Sequence, residues 1–445
     1  MSESALLQKL DSRSATVGVI GLGYVGLPLS IEFAEAGFDV AGYDINRARV
    51  DMLRAGESYV DDVSDAALQA GLDAGFQPGD VPSAVENCDA YVIAVPTGLR
   101  GEEPDMSAVR AATETIADVA DDRHTLVVVS STVYPGATHE EVEPILDDRR
   151  DSAKTHVAMV PERLNPGGEY PFEEIPLVVG ADEPTSREAA ETLFGAIVSE
   201  THPVDSPTTA ELAKTLENTY RMVNIALVNE FSRLVEELDA DVWNTIEAAG
   251  TKPFGFQAFC PGPGVGGHCI PVDPQFLTWR GSELGTELSL VERAHEINER
   301  MPTLVVDRID ELLRSRGVRP EAATVVTLGI TYKPNVADTR HSPALEVAES
   351  LDGSTELVAV DPYVDSDDVD VPLVNAVADA PLDEADLVVV LVDHDDFDLP
   401  AVAGRASLVF DTRNAVPADI DADADVVTLG GTILEAEPTS IDADD

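Results

Sequence analysis

The run Gly21-Leu22-Gly23-Tyr24-Val25-Gly26 stands directly behind the β-branched segment Thr16–Ile20 and ahead of an apolar helical stretch. A strand that turns through glycines into a helix can be completed in few ways. The next strand must lie parallel to the first, joined by a right-handed crossover. The glycines permit a tight turn and let a pyrophosphate come close to the helix N-terminus. Asp44 closes the next β-branched segment, Asp39–Tyr43, about 20 residues on, where a carboxylate accepts a hydrogen bond from a ribose 2′-hydroxyl. It would repel a 2′-phosphate, which favours NAD over NADP. Arg47 nearby works slightly against that preference. The alternative, turn glycines beside a surface aspartate, fits poorly with the complete strand–turn–helix–strand context.

Further apolar runs at 90–95, 125–130, 157–160 and 177–179 read as buried parallel strands, with amphipathic segments such as 106–118 between them. This predicts a doubly wound sheet over about the first 200 residues. The texture then changes. Leu212, Leu216, Tyr220, Val223, Leu227, Phe231 and Leu234 recur at intervals of three and four, one face of a long helix. Ser206 suits its N-cap and Pro207 its first turn. Such a helix would join two domains, and it could pack against its twin in a dimer. A Pro/Gly-rich loop at 250–274 follows, then more helix to about 316. From there βα alternation resumes with runs at 324–328, 356–360, 387–392, 407–410 and 425–428. The expected architecture is α/β: two Rossmann-like doubly wound domains joined by a central long-helix dimerisation region. The expected spans are 1–204, 205–316 and 317–435, with an acidic, frayed tail at 436–445.

Charge narrows the partners. The chain carries 84 acidic and 28 basic residues, a net charge of −56, scattered over nearly every predicted helix and loop. Scattered acidity resembles the surfaces of proteins from salt-loving organisms, where concentrated salt screens self-repulsion. With no basic stripe to meet phosphates, nucleic acid is excluded as a partner. Residues 1–14 are polar, no run approaches a membrane span, and the reading is a soluble cytoplasmic protein. Cys88, Cys260 and Cys269 form neither a disulfide framework nor a zinc spacing, and no metal is expected.

Cys269 sits in Pro261-Gly-Pro-Gly-Val-Gly-Gly-His-Cys269-Ile-Pro-Val-Asp273, with four glycines in the nine residues up to the cysteine. A buried packing cysteine needs no such loop. A backbone folded tightly around a ligand to present a thiol does. Cys88, between a predicted helix and strand, and Cys260, beside Phe259, read as packing. His268 is adjacent to Cys269, but neighbouring side chains diverge, so it is not by that fact the base. Lys214 and Asn218, four apart, share the helix face that points away from the apolar stripe. By spacing alone they are equally a solvated surface or part of a site.

The pieces 21–28 (GLGYVGLP), 130–136 (SSTVYPG), 161–167 (PERLNPG), 211–230 (ELAKTLENTYRMVNIALVNE), 261–274 (PGPGVGGHCIPVDP) and 329–345 (GITYKPNVADTRHSPAL) stand in one order along the chain. Together they resemble the UDP-glucose/GDP-mannose dehydrogenase family over about 17–416. The resemblance implies an NAD-dependent oxidation of a sugar C6 alcohol to a carboxylate, with a UDP-sugar bound by the C-terminal domain and a homodimer formed through the helical region. It also implies roles. Cys269 traps the C6 aldehyde as a thiohemiacetal; Lys214 with Asn218 stabilises the oxyanion; Glu162 serves acid/base or water chemistry; Thr132 and Asp273 hold the catalytic water. Gly21, Gly23, Tyr24, Val25, Gly26, Asp44, Thr97, Thr132 and Arg340 would meet the cofactor. Arg163 and Gly266, with Glu162, Lys214, Asn218 and Lys333, would meet the substrate.

Removing four electrons needs two NAD in turn, and a thiolate adduct can pass the second hydride before hydrolysis. The segments 251–256, 170–179 and 261–274 are more similar to the branch acting on UDP-N-acetylhexosamines. The UDP-glucose branch reads more like FGGSCF-x-KD at the cysteine, whereas here His268 precedes the thiol and Val272 replaces the lysine. A UDP-N-acetylglucosamine or UDP-N-acetylmannosamine substrate is therefore expected ahead of UDP-glucose. A two-electron hydroxy-acid dehydrogenase would need neither the thiol nor a third domain, and a non-catalytic nucleotide sensor would need only the binding glycines.

Overall fold

The computed structural model describes residues 2–60, 62–151, 154–163, 170–418, 424–431 and 433–434. Contacts divide the chain into two compact units, Met1–Asn218 with Val272–Glu287, and Thr219–Pro271 with Leu288–Asp445. The expected acidic tail and most of the 161–167 motif lie outside the described residues.

The strands of the first unit are β1 (Thr16–Ile20), β2 (Asp39–Tyr43), β3 (Phe76–Gly79), β4 (Ala90–Ile93), the small hairpin β5 (Gly98–Arg100) and β6 (Glu103–Asp105), β7 (Thr125–Val129), β8 (Thr155–Met159), β9 (Leu177–Gly180) and β10 (Thr201–Val204). They form a sheet in the order β10-β9-β8-β7-β4-β1-β2-β3, with the hairpin apart. From β3 to β8 all neighbours are parallel. Strands β4 and β7 are buried along their whole length, which is why they read as unbroken apolar runs. The order reverses between β1 and β4, and ligands of such sheets bind at the carboxyl ends of the strands there. Phe33, on the helix Gly26–Glu35, packs edge-on against Phe38 and Phe194 at 6.1 and 5.4 Å beneath one face of the sheet.

Two expectations need correction. The run at 177–179 is not a parallel neighbour of β8, because Met159 pairs with Gly180 in antiparallel register. A parallel return needs a covering crossover, usually a helix, and the described part of the connection holds only the single turn Phe172–Glu174. The strands β3 and β10 escaped the sequence reading. Each is an edge strand that contains a proline, Pro78 or Pro203, a residue whose missing N–H is tolerated only at such positions.

The second unit holds β11 (Thr324–Leu328), β12 (Glu356–Val360), β13 (Leu373–Val374), β14 (Leu387–Val390), β15 (Leu408–Asp411), β16 (Asp425–Thr428) and β17 (Ile433–Leu434) in the order β13-β12-β11-β14-β15-β16-β17. Only the terminal pair is antiparallel. The turn after the first strand is the same in both sheets, although the sequences differ. Gly21 (φ +90°) and Gly329 (φ +81°) each donate a backbone N–H, at 2.8 Å, to the carbonyl closing the second strand, Tyr43 or Val360. Asp44 and Asp361 then accept the next N–H, from Leu22 and Ile330, at 2.9 and 2.8 Å. Asp361 is also bonded to buried His394 at 3.1 Å, so this second carboxylate is engaged within its own unit.

The helix Pro207–Glu236 begins as expected, with Ser206 Oγ accepting the Thr209 N–H at 3.2 Å. Its second half buries Met222, Ala226, Val228 and Val235 in the ordinary way, but its predicted apolar stripe faces outward. Leu212, Leu216, Tyr220, Leu227, Phe231 and Leu234 are exposed, and the polar face with Glu211, Lys214, Thr215, Asn218 and Asn229 is buried. No helix of the described residues is long and apolar enough to cross a membrane.

Candidate active site

At the carboxyl end of β1 the three glycines differ in what surrounds them. A Cβ on Gly21 would lie 2.5 Å from the Ala94 carbonyl oxygen, and one on Gly26 would lie 1.7 Å from the Gly21 oxygen, whereas nothing stands within 4 Å of Gly23. The outer two are closed by the protein's own backbone, and the middle one opens outward. That is the cradle a pyrophosphate requires at a helix N-terminus. The helix behind it, Gly26–Glu35, has no side-chain cap and no acidic residue in its first turn, which leaves its amide end to an anion. Asp44 is buried and takes hydrogen bonds from Leu22 and Asn46 amides at 2.9 and 2.8 Å, so the carboxylate is held in place beside the cradle. Arg47 lies 3.6 Å from Asp51 and 3.9 Å from Asp80, which offsets its charge and weakens its pull on a 2′-phosphate. Across the switch point, Thr97 Oγ1 donates to the Thr132 carbonyl at 2.6 Å, bringing two of the expected residues together.

The polar face of the long helix carries the chemistry of this unit. Lys214 and Asn218, one turn apart, are both only 6% exposed, so the solvated-surface alternative fails. The Lys214 ammonium stands 3.7 Å from Glu162 Oε2, an ion pair rather than a tight hydrogen bond. Asn218 Nδ2 donates to Asp273 Oδ2 at 2.6 Å. Burial pushes the Glu162 carboxyl up to about 7; Lys214 opposes the rise, while Asp273 and Glu217 add to it. Burial likewise raises Asp273 to about 6 against the pull of Lys214 and the Asn218 hydrogen bond. Glu162 Oε1 is buried with no hydrogen-bond partner among the described residues. A buried oxygen left this way marks a place for a water or a ligand group. A fixed ammonium beside a carboxyl that titrates near neutrality suits oxyanion stabilisation and proton transfer. Beside this group, Arg163 Nη2 and Nε grip Glu217 at 2.6 and 3.2 Å, which fastens the strand-end segment carrying Glu162 to the helix.

In the second unit, the glycines ahead of Cys269 are required by contact. Tyr332 stands 2.6 Å from where a Cβ on Gly266 would be and 2.8 Å from one on Gly267, whose φ is +82°. The Gly267 N–H donates to the Arg340 carbonyl at 3.0 Å, so the 338–343 segment grips the loop through backbone. Cys269 is exposed. Burial and the nearby Arg340 and His341 lower the His268 pKa, against the pull of Asp338. Arg340 itself forks onto Asp338 at 2.9 and 2.5 Å, and the Lys333 carbonyl accepts from Thr331 Oγ1 at 2.9 Å.

Comparison with known proteins finds three family domains, the middle one shared between the two units. Residues 15–198 match the NAD binding domain of the UDP-glucose/GDP-mannose dehydrogenase family, 208–300 its central domain, and 326–418 its UDP binding domain. The chain belongs to the UDP-glucose/GDP-mannose dehydrogenase family. It is an oxidoreductase, and NAD is its cofactor. The UDP-N-acetyl-D-mannosamine dehydrogenase of Pyrococcus horikoshii is 36% identical over 78% of this chain and 84% of its own. The UDP-N-acetyl-D-glucosamine 6-dehydrogenase of Pseudomonas aeruginosa is 33% identical over 79% and 84%. A solved structure of the Pyrococcus horikoshii UDP-D-ManNAc dehydrogenase superposes with a TM-score of 0.84 at 32% identity, covering 93% of this chain and 99% of that one.

For this family member, Thr132, Glu162, Lys214, Asn218 and Asp273 lie in the first unit, and Gly266, Cys269, Lys333 and Arg340 in the second. Cys88 is buried as expected, and its thiol is pushed up to about 12 by burial and Asp89. Cys260 is exposed, where packing was expected. The sequence reading missed Glu211 and the Arg163–Glu217 pair. Their signal was present: residues 211, 214, 215 and 218 are polar at helical spacing, a pattern as regular as the apolar stripe opposite.

Proposed function

We propose that this dehydrogenase oxidises a UDP-N-acetylhexosamine, UDP-N-acetylmannosamine or UDP-N-acetylglucosamine, at C6 to the uronic acid. The relatives with those activities support the sugar class, as does the glycine loop that ends in His268-Cys269. The observation that carries the chemistry is the buried group of Lys214, Glu162, Asn218 and Asp273, with one carboxyl poised at about 7. In this reading NAD takes up one hydride in each of two oxidations. Cys269 adds to the intermediate aldehyde, the thiohemiacetal loses the second hydride, and water cleaves the thioester and frees the thiol. Lys214 and Asn218 stabilise oxyanion charge, and Glu162 with Asp273 and Thr132 orients and deprotonates the water. Lys333 and Arg163 meet substrate charge, and Arg340 meets the cofactor.

The domain spans 1–204, 205–316 and 317–435 serve NAD, dimerisation with the cysteine loop, and the UDP-sugar in turn. The exposed stripe on Pro207–Glu236 is covered by the same helix of a second copy, because apolar side chains 55–63% exposed at Leu216, Leu227 and Leu234 are costly on a surface otherwise dense in charge. The enzyme works in the cytoplasm, where a reactive thiol stays reduced, and in concentrated salt.

The test is a panel of UDP-sugars with NAD in molar KCl, following NADH and product mass. Two NADH per UDP-N-acetylhexosamine are expected. Cys269→Ser should bind NAD and stay folded but stop after accumulating an ester on the serine, because an alkoxide is the poorer leaving group. One NADH per sugar, or full turnover by that variant, would overturn the covalent route.

A further inference from the structure

We infer that Glu211 is a positioning residue, which sets where Lys214 stands against Glu162 by tying the long helix to the loop after β7. The inference rests on the roles just proposed for Lys214 and Glu162.

The Glu211 side chain is fully buried three residues before Lys214, on the same face of the helix. Three donors converge on it. Oε2 accepts the Gly136 N–H at 2.6 Å, and Oε1 accepts the Thr138 N–H at 2.9 Å and the Thr138 hydroxyl at 2.6 Å. All three belong to the segment that continues from Thr132, whose carbonyl is bonded to Thr97. One carboxylate therefore links the loop at the β7 carboxyl end to the helix turn that delivers the ammonium.

The helix is pinned a second time at its start. A Cβ on Gly180 would lie 2.4 Å from the Ser206 carbonyl and 2.8 Å from Ala210 Cβ, so β9 and the first turn are in direct contact. Both pins act on the first turns of the helix, and Lys214 follows within the next turn. The ammonium and Glu162 are 3.7 Å apart, so a small shift of this helix turn changes their separation directly.

Only a carboxylate satisfies the three donors, since an amide would turn its own N–H toward one of them. The charged groups facing Glu211 are few. His139 lies nearby and is itself held by Glu143 at 3.0 Å and Asp182 at 3.5 Å, while Arg280 reaches over Gly136. The nitrogens His139 uses for those two carboxylates are on opposite edges of its ring, and against the effect of burial the two carboxylates raise its pKa.

The experiment compares Glu211→Gln and the milder Thr138→Val with the unaltered full chain in molar KCl, using UDP-N-acetylmannosamine and NAD. Three readouts are taken: the pH profile of NADH formation, NAD affinity, and the NMR signal of 13C-dimethylated Lys214. Only five lysines exist, so that signal is assignable with Lys214→Arg. In Glu211→Gln, turnover should fall roughly 10- to 100-fold, the cost of misplacing a reacting group by about an ångström. The acid limb should move by about half a pH unit or more as Lys214 leaves Glu162, and the Lys214 signal should shift. NAD affinity should be unchanged, and Thr138→Val should move each readout less, in the same direction. Loss of thermal stability in both variants, with the acid limb and the Lys214 signal unmoved, would overturn the inference. If the unaltered protein oxidises no UDP-sugar, the proposed function fails, and the Lys214 signal alone still decides: moved in Glu211→Gln supports the positioning role, unmoved overturns it.

Discussion

Glu162 costs stability in the state in which it works. Its folded pKa of about 7 lies above the usual carboxyl value, so the fold favours the protonated form. That preference is fully present below the unfolded pKa and is lost as pH rises through 7, where the buried charge must be carried. Catalysis runs the other way, because a base acts only when ionised. Activity limited by hydrolysis should therefore rise with pH through an acid limb near 7 while stability falls over the same range. Glu162→Gln should remove the limb, lower turnover roughly 100-fold or more, and stabilise the protein by about 1–3 kcal/mol at pH 8. Stopped-flow NADH traces and thermal melts across pH 5–9 check both halves; a variant that keeps the limb would exclude Glu162 as the base. The same residue shows what sequence can reveal. Its motif was visible, but its raised pKa comes from burial and from Asp273, over 100 residues away, a neighbour only the fold provides. Cys269 was legible earlier, because its glycines are local demands of the backbone.

At the level of elements, unbroken apolar runs gave the central strands away, since burial on both faces leaves no alternation to confuse with a surface strand. The edge strands β3 and β10 were hidden by proline, and the direction of β9 shows only in its pairing with β8. The long helix was legible in period and cap but not in orientation. Periodicity shows that a helix has two faces; it cannot say whether the apolar one meets its own chain or another. Here the polar face went inward, because Glu211, Lys214 and Asn218 each found a partner there. The apolar stripe is left exposed on this chain, and the proposed dimer would cover it. Replacing Leu216 and Leu227 together by Glu should therefore yield monomers, seen by light scattering, with NAD binding retained because neither residue touches the glycine cradle. Burying the added carboxylates against a second copy without partners would cost several kcal/mol. An unchanged oligomer, or a monomeric unaltered protein, would refute this interface.

Across the whole molecule the dominant quantity is the charge of −56, set against only 28 basic residues. Where arginines occur they are mostly committed: Arg47 to Asp51 and Asp80, Arg163 to Glu217, Arg340 to Asp338, Arg405 to Asp383. Lysine is rarer still, and of the five in the chain Lys214 is held inside the site. The remaining acids repel one another over distances that salt controls. Screening extends about 10 Å at 0.1 M ionic strength and about 3 Å at 1 M, so in dilute buffer neighbouring acids interact and in molar salt they do not. The exposed ion pairs are screened too, but each contributes about 0–1 kcal/mol, and they are outnumbered by unpaired acids. Relief of repulsion should win. The melting temperature should climb steeply from 0.1 to 2 M KCl, and activity should climb with it. Concentrated solutes also stabilise proteins by exclusion from the surface, so salt alone does not identify the cause. Sucrose at matched osmolality separates the two, since it is excluded but carries no charge. A rise in KCl well beyond that in sucrose assigns the effect to screening. Equal rises, or a protein most stable in dilute buffer, would show that the acidic surface is not what ties this chain to salt.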